Sequence, residues 1–163
     1  MRKIFLLFAM STLLISYATA QENMMSLVKS QHFQFIATGI NSSLISEYPQ
    51  FSSMNMDGYS IEVTKKYLDC KLPFVGRVYR NGMNEHHIEV YASKYTYEYK
   101  VVKRRKTTDI IVKMSALSND GGDKLNFTLV IGESGRAVLT VVSNNRETVT
   151  YYGTVYPYKL YKK

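Results

Sequence analysis

The sequence has one cysteine, Cys70, and only three prolines in 163 residues. A single cysteine cannot form a disulfide within the chain. This excludes a small disulfide-stapled scaffold, so the fold must rest on packing. Long Ala-, Leu- and Glu-rich periodic stretches, which are typical of helical proteins, are also missing. Tyr, Val, Ile, Thr and Phe, which favour strands, are plentiful instead. The composition therefore indicates β structure.

Acidic residues are few compared with basic ones. Thirteen Asp and Glu against 21 Lys and Arg give a net charge of +8, or +6 without the first twenty residues, which hold two of the basic ones. Such an excess favours anionic partners, for example phosphate-bearing lipids or acidic polysaccharide. A net charge of this size also simply keeps a small domain soluble, so both interpretations stay open.

Residues 1–20 are predicted to be a cleavable signal peptide. Arg2 and Lys3 precede an apolar stretch over residues 4–15, and Ala18-Thr19-Ala20 offers the small-x-small pattern that signal peptidase cleaves. The apolar stretch is too short to span a bilayer, and no stop-transfer pattern follows it. We expect the mature protein to begin at Gln21, directly after Ala20, and to have no transmembrane segment. No cysteine stands directly after the cut, so a lipoprotein anchor is not expected.

Apolar and polar residues alternate with period two over most of the remaining chain. The pattern predicts strands, including one over 74–80 and one over 87–92. Short connections such as Ser134-Gly135 and Asn144-Asn145 are typical of hairpins. We therefore predict a single all-β domain over residues 31–156, an antiparallel meander of about nine or ten strands that forms a barrel or a sandwich. Residues 21–30 form a short helical or disordered lead in this scheme, and 157–163 a basic-aromatic tail.

Cysteine and histidine offer two candidate chemical sites. Cys70 alternates in phase with Leu68 and Leu72, which places it on the apolar face, where a free cysteine behaves as a small hydrophobe. His86 and His87 are adjacent, and neighbouring residues in a strand point to opposite faces, so they cannot easily share a metal ion. The sequence therefore predicts neither a reactive thiol nor a metal site, and no cofactor.

The strongest basic run is Lys103-Arg104-Arg105-Lys106, which the pattern places at a hairpin tip between two strands. Such a cluster suits contact with an anionic surface, such as lipid headgroups or a phosphorylated glycan. A solvated turn is the structural alternative. Nucleic acid is not expected as a partner, because the chain is predicted to be exported and no recognition helix or aromatic stacking motif accompanies the run.

Two sequence blocks are distinctive: Leu72-Pro73-Phe74-Val75-Gly76-Arg77-Val78-Tyr79, and residues 135–146, which end in Ser143-Asn144-Asn145-Arg146. The first is similar to the Leu-Pro-Tyr-Phe-Gly-Arg-Ala-Tyr signature, and the second to the Gly-Tyr-Ala-x-Leu-x-Val-x-Ser-Asn-Asn-Arg block, of an exported bacterial family, typical of Bacteroidetes, known as domain of unknown function 4251. Tyr151-Tyr152-Gly153 matches the closing Tyr/Phe-x-Gly. Val75 and Arg136 depart from the pattern, because each replaces an aromatic residue. The resemblance implies an all-β, lipocalin-like domain, exported through the inner membrane of a Gram-negative envelope and then periplasmic or secreted.

The resemblance implies no reaction, because the family has none established. Five residues of its blocks form the candidate ligand site: Arg77, Tyr79, Asn145, Arg146 and Tyr152. Two guanidinium groups near aromatic rings would suit a carboxylate or phosphate at a barrel mouth. The structural alternative is a tight turn at Asn144-Asn145 with arginines stacked on tyrosines.

We therefore expect a non-enzymatic domain that binds a small amphipathic or anionic ligand. The alternative is a structural or protein-interaction module that contacts an envelope protein or a lipid surface. An enzyme ranks third, since no Ser/His/Asp motif, Gly-rich phosphate loop or metal-ligand spacing occurs.

Overall fold

The computed structural model describes residues 23–42, 45, 54–80, 85–105, 107–119 and 122–158. The predicted signal peptide with its Ala20–Gln21 cleavage site, Lys106, and residues 159–163 of the predicted tail lie outside this part of the chain. Residues 23–30 form a short helix, α1. The strands are β1 (His32–Asn41), β2 (Ser60–Thr64), β3 (Leu68–Pro73), β4 (His87–Ala92), β5 (Thr96–Lys103), β6 (Thr108–Leu117), β7 (Lys124–Ile131), β8 (Arg136–Val142) and β9 (Val149–Pro157). No helix within the described ranges is long and apolar enough to cross a membrane.

These strands form one sheet in the order β4-β3-β2-β1-β9-β8-β7-β6-β5, and every neighbouring pair is antiparallel. The prediction of an all-β antiparallel meander is confirmed. Burial alternates along the strands as period two requires; in β7, for example, Leu125, Phe127, Leu129 and Ile131 are buried and the residues between them are not. The side chains of one sheet face therefore make the core.

The predicted strand over 74–80 is wrong. Phe74 and Val75 are both buried, although successive residues of a strand point to opposite faces. Only Val78 makes a β-bridge, with Arg146. The Phe74 N–H still donates to the His86 carbonyl at 2.7 Å. The chain then leaves β4 and crosses the end of the sheet as an irregular segment, which becomes part of the candidate site below.

β4 and β5 are the two edge strands of the sheet, yet they follow each other in the chain with a short connection. The sheet must therefore be rolled, so that its two edges come near each other. Eight antiparallel steps separate β4 from β5 in the strand order, so the two strands have the same sense and cannot form a hairpin. Only residues 93–95 join them, a span of at most about 15 Å. Asn119, just after β6, donates its N–H to the Glu89 carbonyl at 3.1 Å and accepts the Tyr91 N–H at 2.9 Å. These bonds hold the two ends of the sheet together without a strand ladder.

The core fills the inside of the rolled sheet. Its largest fully buried side chains include Phe33, Phe35, Phe127 and Tyr151. Val28 of α1 belongs to the same cluster. Its carbonyl accepts the Tyr97 hydroxyl at 2.7 Å, so the helix is fixed to β5. A single continuous core of this kind explains how the domain stands without a disulfide.

Gly153 in β9 provides a test of this close packing. A Cβ there would press on the carbonyl oxygen of Ile36 and lie 2.7 Å from the Phe35 ring. We expect Gly153→Ala to lower the free energy of unfolding by about 1–3 kcal/mol, the usual cost of overpacking, measured by urea unfolding. Gly132→Ala is the matched control, since its Cβ would meet nothing nearer than 3.6 Å. Equal losses in both variants would contradict this account.

Candidate functional site

The two sequence blocks that carry the family resemblance meet at one end of the rolled sheet. Residues 77–79 run antiparallel to residues 145–147, with a bridge between Val78 and Arg146. The Tyr79 N–H donates to the Asn145 carbonyl at 2.8 Å, and the Glu147 N–H donates to the Arg77 carbonyl at 2.9 Å. We call this end of the sheet, formed by residues 73–79, 85–87 and 143–147, the rim.

A buried carboxylate lies beneath the rim. Asp123 is fully buried, and the Ser143 hydroxyl lies 2.8 and 2.7 Å from its two carboxylate oxygens. The Asn145 amide donates to Oδ1 at 2.9 Å, and Nε of Arg146 lies 3.5 Å from Oδ2. Asp123 also exchanges bonds with Ser118, whose N–H donates to its carbonyl. A buried charge is tolerated only when it is paired and hydrogen-bonded in this way.

Arg146 carries this network toward the irregular segment. Its side chain is only 1% exposed, and its guanidinium carbon lies 5.4 Å from the centroid of the Phe74 ring. Nη1 donates to the His87 carbonyl at 3.4 Å. A guanidinium over an aromatic face is stabilising, more so away from water. Arg146 therefore acts inside the protein, where it joins β4, the irregular segment and the turn after β8.

Tyr151 braces the irregular segment from the core side. Its hydroxyl donates to the Pro73 carbonyl at 2.7 Å, and the residue is fully buried. Burial raises the pKa of this phenol well above its ordinary value, so it remains a neutral donor. Gly76 lets the segment pass closely, because a Cβ there would lie 2.8 Å from the Phe74 ring.

Two surface grooves flank Gly76. One, of about 290 Å³, is lined by Met54, Tyr59 and Phe74 among others, and the second, of about 460 Å³, is lined by Arg77, Val78 and Tyr79. Glu85 and His86 line both. Arg77 is exposed, while its backbone N–H donates to Oε2 of Glu147 at 3.0 Å. Tyr79 is 64% exposed. The rim thus presents an arginine and a tyrosine on a firmly held backbone.

The structure brings together four of the five residues of the predicted ligand site. Arg77, Tyr79, Asn145 and Arg146 meet at the rim, although Asn145 and Arg146 point into the Asp123 network. Tyr152 lies apart from them on the outer face of β9, opposite Val138 of β8 and against Gly39 of β1. Asp123 and Ser143 complete the network, and neither was predicted from the sequence to be a site residue. The one available signal was Ser143 directly before the Asn-Asn turn.

The basic run lies at the β5–β6 connection, as its position in the sequence suggested. Lys103 ends β5, and the Arg104 N–H donates to the Thr107 carbonyl at 2.8 Å. Nε of Arg104 lies 3.4 Å from Oδ2 of Asp109, with the arginine side chain 68% exposed. Arg105 is exposed as well. An ion pair at so exposed a position contributes little to stability.

Cys70 and the adjacent histidines lie in different surroundings. Cys70 is buried in the core, as predicted, and burial raises the pKa of its thiol. His86 is exposed, while the His87 ring is 3.2 Å from the Tyr59 hydroxyl. Among the described residues, no three His, Cys, Asp or Glu side chains are grouped so that they could hold a metal ion.

The fold and the rim define a rolled antiparallel β domain whose irregular end segment is fixed over a buried Asp–Arg pair. The chain belongs to the family described as Domain of unknown function (DUF4251), whose model matches residues 16–155. That match covers both blocks that meet at the rim. No curated protein matches the chain significantly.

The Asp123 network yields a prediction about stability. Asp123→Asn removes the negative charge that faces the buried Arg146 guanidinium, so we expect the free energy of unfolding to fall by about 3–5 kcal/mol, the usual cost of breaking a buried ion pair. Asp109→Asn is the matched control, since it breaks an ion pair whose arginine is largely exposed, and it should cost about 1 kcal/mol or less. Chemical denaturation of both variants measures the difference. Similar small losses would mean that the buried pair is not what fixes the rim.

The Cys70 thiol yields a second prediction. Because burial, with smaller contributions from Asp69 and Glu89, raises its pKa, we expect a water-soluble disulfide reagent to label it only as fast as the protein unfolds. Raising the pH through about 8.5, where a free cysteine ionises, should not accelerate labelling of the folded protein. Labelling in denaturant is the control and should be immediate. Fast labelling of the folded protein would show that the thiol is accessible.

Proposed function

We propose that the protein is an exported, non-enzymatic binding domain, and that the rim takes a small ligand with one anionic group and an apolar part. The observation that carries this proposal is the exposed Arg77–Tyr79 segment, fixed from below by buried groups. A binding group that is already held in place loses less conformational entropy when the ligand arrives.

The chemistry of the groove narrows the ligand class. The Arg77 guanidinium suits a carboxylate or phosphate, and Val78 and Tyr79 offer apolar and aromatic surface beside it. Glu85 lines the same groove and opposes a high density of negative charge. A small amphipathic anion therefore fits this groove better than a polyanion such as an acidic polysaccharide.

The core supports placing the ligand at the rim rather than within the sheet. Large side chains such as Phe33, Phe127 and Tyr151 are fully buried there and pack in one cluster. A lipocalin-like interior pocket would need space where these side chains lie. The proposal therefore keeps the amphipathic or anionic ligand at the end of the sheet and places it on the surface there.

A titration with octanoate tests the proposal. We expect saturable NMR shifts at the amides of residues 76–79 and 86, because the carboxylate would lie at Arg77 and the hydrocarbon chain along the groove. Arg77→Gln should raise the dissociation constant for octanoate about tenfold or more, since a hydrogen bond to a charged group is lost. Octylammonium, which has the same chain and the opposite charge, should leave these amides unshifted.

Arg136→Gln is the matched control, since Arg136 is another exposed arginine, at the start of β8. It should bind octanoate as the unchanged protein does. If both variants weaken binding equally, the effect comes from net charge and not from the rim. If octanoate produces no saturable shift at residues 76–79, the rim does not take an amphipathic anion.

An interaction module is the second candidate, favoured by one observation. Val138 and Val142 of β8 and Tyr152 and Tyr156 of β9 are 38–47% exposed on the outer face of the sheet. Val138 and Tyr152 lie opposite each other, and adjoining exposed apolar side chains mark partner surfaces. If the octanoate titration fails, the interaction module becomes the favoured function, and Tyr152 is then a residue of the partner surface.

A further inference from the structure

The sheet ends at β5. Within the described chain β5 pairs with β6 alone, so its second edge has no strand partner there, and we call it the open edge. An edge strand presents a row of backbone N–H and C=O groups that can pair with another strand. Folded proteins usually blunt such edges with charged side chains, proline, bulges or covering segments. Thr96–Lys103 contains no proline and pairs with β6 without a register shift, and its charged residues, Glu98, Lys100 and Lys103, are of both signs.

The hydrogen bonds at both ends of β6 show which residues of β5 face this open edge. The Arg104 N–H donates to the Thr107 carbonyl, so alternate residues back along β5, from Val102 to Thr96, bond to β6. The Ser118 N–H donates to the Asp123 carbonyl, so Met114, Val112 and Ile110 of β6 bond to β7. The residues between them bond to β5, which gives the same alternation along β5. The backbone groups of Tyr97, Tyr99 and Val101 therefore point to the open edge.

A second copy of the same strand fits this edge in one symmetric register. Antiparallel pairing centred on Tyr99 places Tyr97 opposite Val101, so each residue that faces the edge meets another that does. It also places Glu98 opposite Lys100 on both sides of the two-fold axis. Centring the pairing on Glu98 or on Lys100 would instead place like charges opposite each other, which is destabilising.

The side chains on both faces suit this register. Tyr97, Tyr99 and Val101 lie on one face, and aromatic pairs and aromatic–β-branched pairs stabilise neighbouring strands. On the other face, Glu98 already lies opposite Lys113 within the chain. In the paired arrangement it would lie between Lys113 of its own chain and Lys100 of the second copy.

We propose that β5 is the interface of a symmetric homodimer, in which two sheets join edge to edge through an antiparallel β5–β5 pairing centred on Tyr99. The interface is isologous, as two-fold symmetry requires. Because pairing of a single strand buries little surface compared with a standard interface, the dimer forms and dissociates with concentration. This inference uses neither the rim nor its ligand, so it is independent of the proposed function.

Charge reversal tests the register. Sedimentation velocity over a concentration series should show a monomer–dimer equilibrium for the unchanged protein. Glu98→Lys and Lys100→Glu each place like charges opposite each other twice, so each should raise the dimer dissociation constant roughly tenfold. The double variant E98K/K100E restores opposite charges and should dimerise as the unchanged protein does. Lys124→Glu, at the exposed first residue of β7, is the matched control and should leave the dimer dissociation constant unchanged.

A second measurement identifies the paired residues directly. Carbodiimide joins a carboxylate to a nearby amine. In an equal mixture of ¹⁵N-labelled and unlabelled protein, we expect mixed-isotope peptides that link Glu98 to Lys100. A monomer at every concentration would overturn the proposal. So would a dimer that the single reversals leave unchanged, or a double variant as weak as the single ones. Circular dichroism of each variant confirms that the fold is intact.

Discussion

The rest of the rim depends on one buried charge, the Asp123 carboxylate. Removing an ion from water costs several kcal/mol even after the protein relaxes around it. Asp123 recovers this cost through the Ser143 hydroxyl, the Asn145 amide and the Arg146 guanidinium. These partners come from the turn after β8, whereas Asp123 lies before β7. The need to satisfy one carboxylate thus ties two turns of the sheet together, and Arg146 then extends the tie to Phe74 and His87.

Much of the fold could be predicted because its signals are local. Period-two alternation reveals a strand wherever one face is buried, and it placed Cys70 correctly beside Leu68 and Leu72. Short hairpins can also be predicted from their turn residues, as at Ser134-Gly135, where Gly135 has a positive φ of 80° that suits glycine. What failed was residues 74–80, where two successive apolar residues are both buried because the segment crosses the end of the sheet rather than running within it.

The candidate site was predictable only in part, because its decisive feature is non-local. From the sequence, Arg77 and Arg146 were predicted to be two similar guanidinium groups near aromatic rings in one ligand site. The structure places one at the surface and the other within the protein, and the difference comes from Asp123, which lies more than twenty residues before Arg146. In the sequence, Asp123 belongs to an Asp-Gly-Gly-Asp connection and reads as an ordinary turn residue. Nothing in that composition indicates that one of its carboxylates is fully buried.

The same non-local logic governs the edges of the sheet. In a simple meander every strand pairs antiparallel with the one before it, which predicts a hairpin between β4 and β5. The antiparallel pairing of β1 with β9 forbids it, since an odd number of strands joined in that way leaves both edges running in the same direction. The chain must turn a corner there, and β5 is left with an open edge. With no disulfide available, polar contacts of Asn119 hold the corner. Within the described chain, the unpaired edge of β5 follows from how the sheet closes rather than from the composition of that strand.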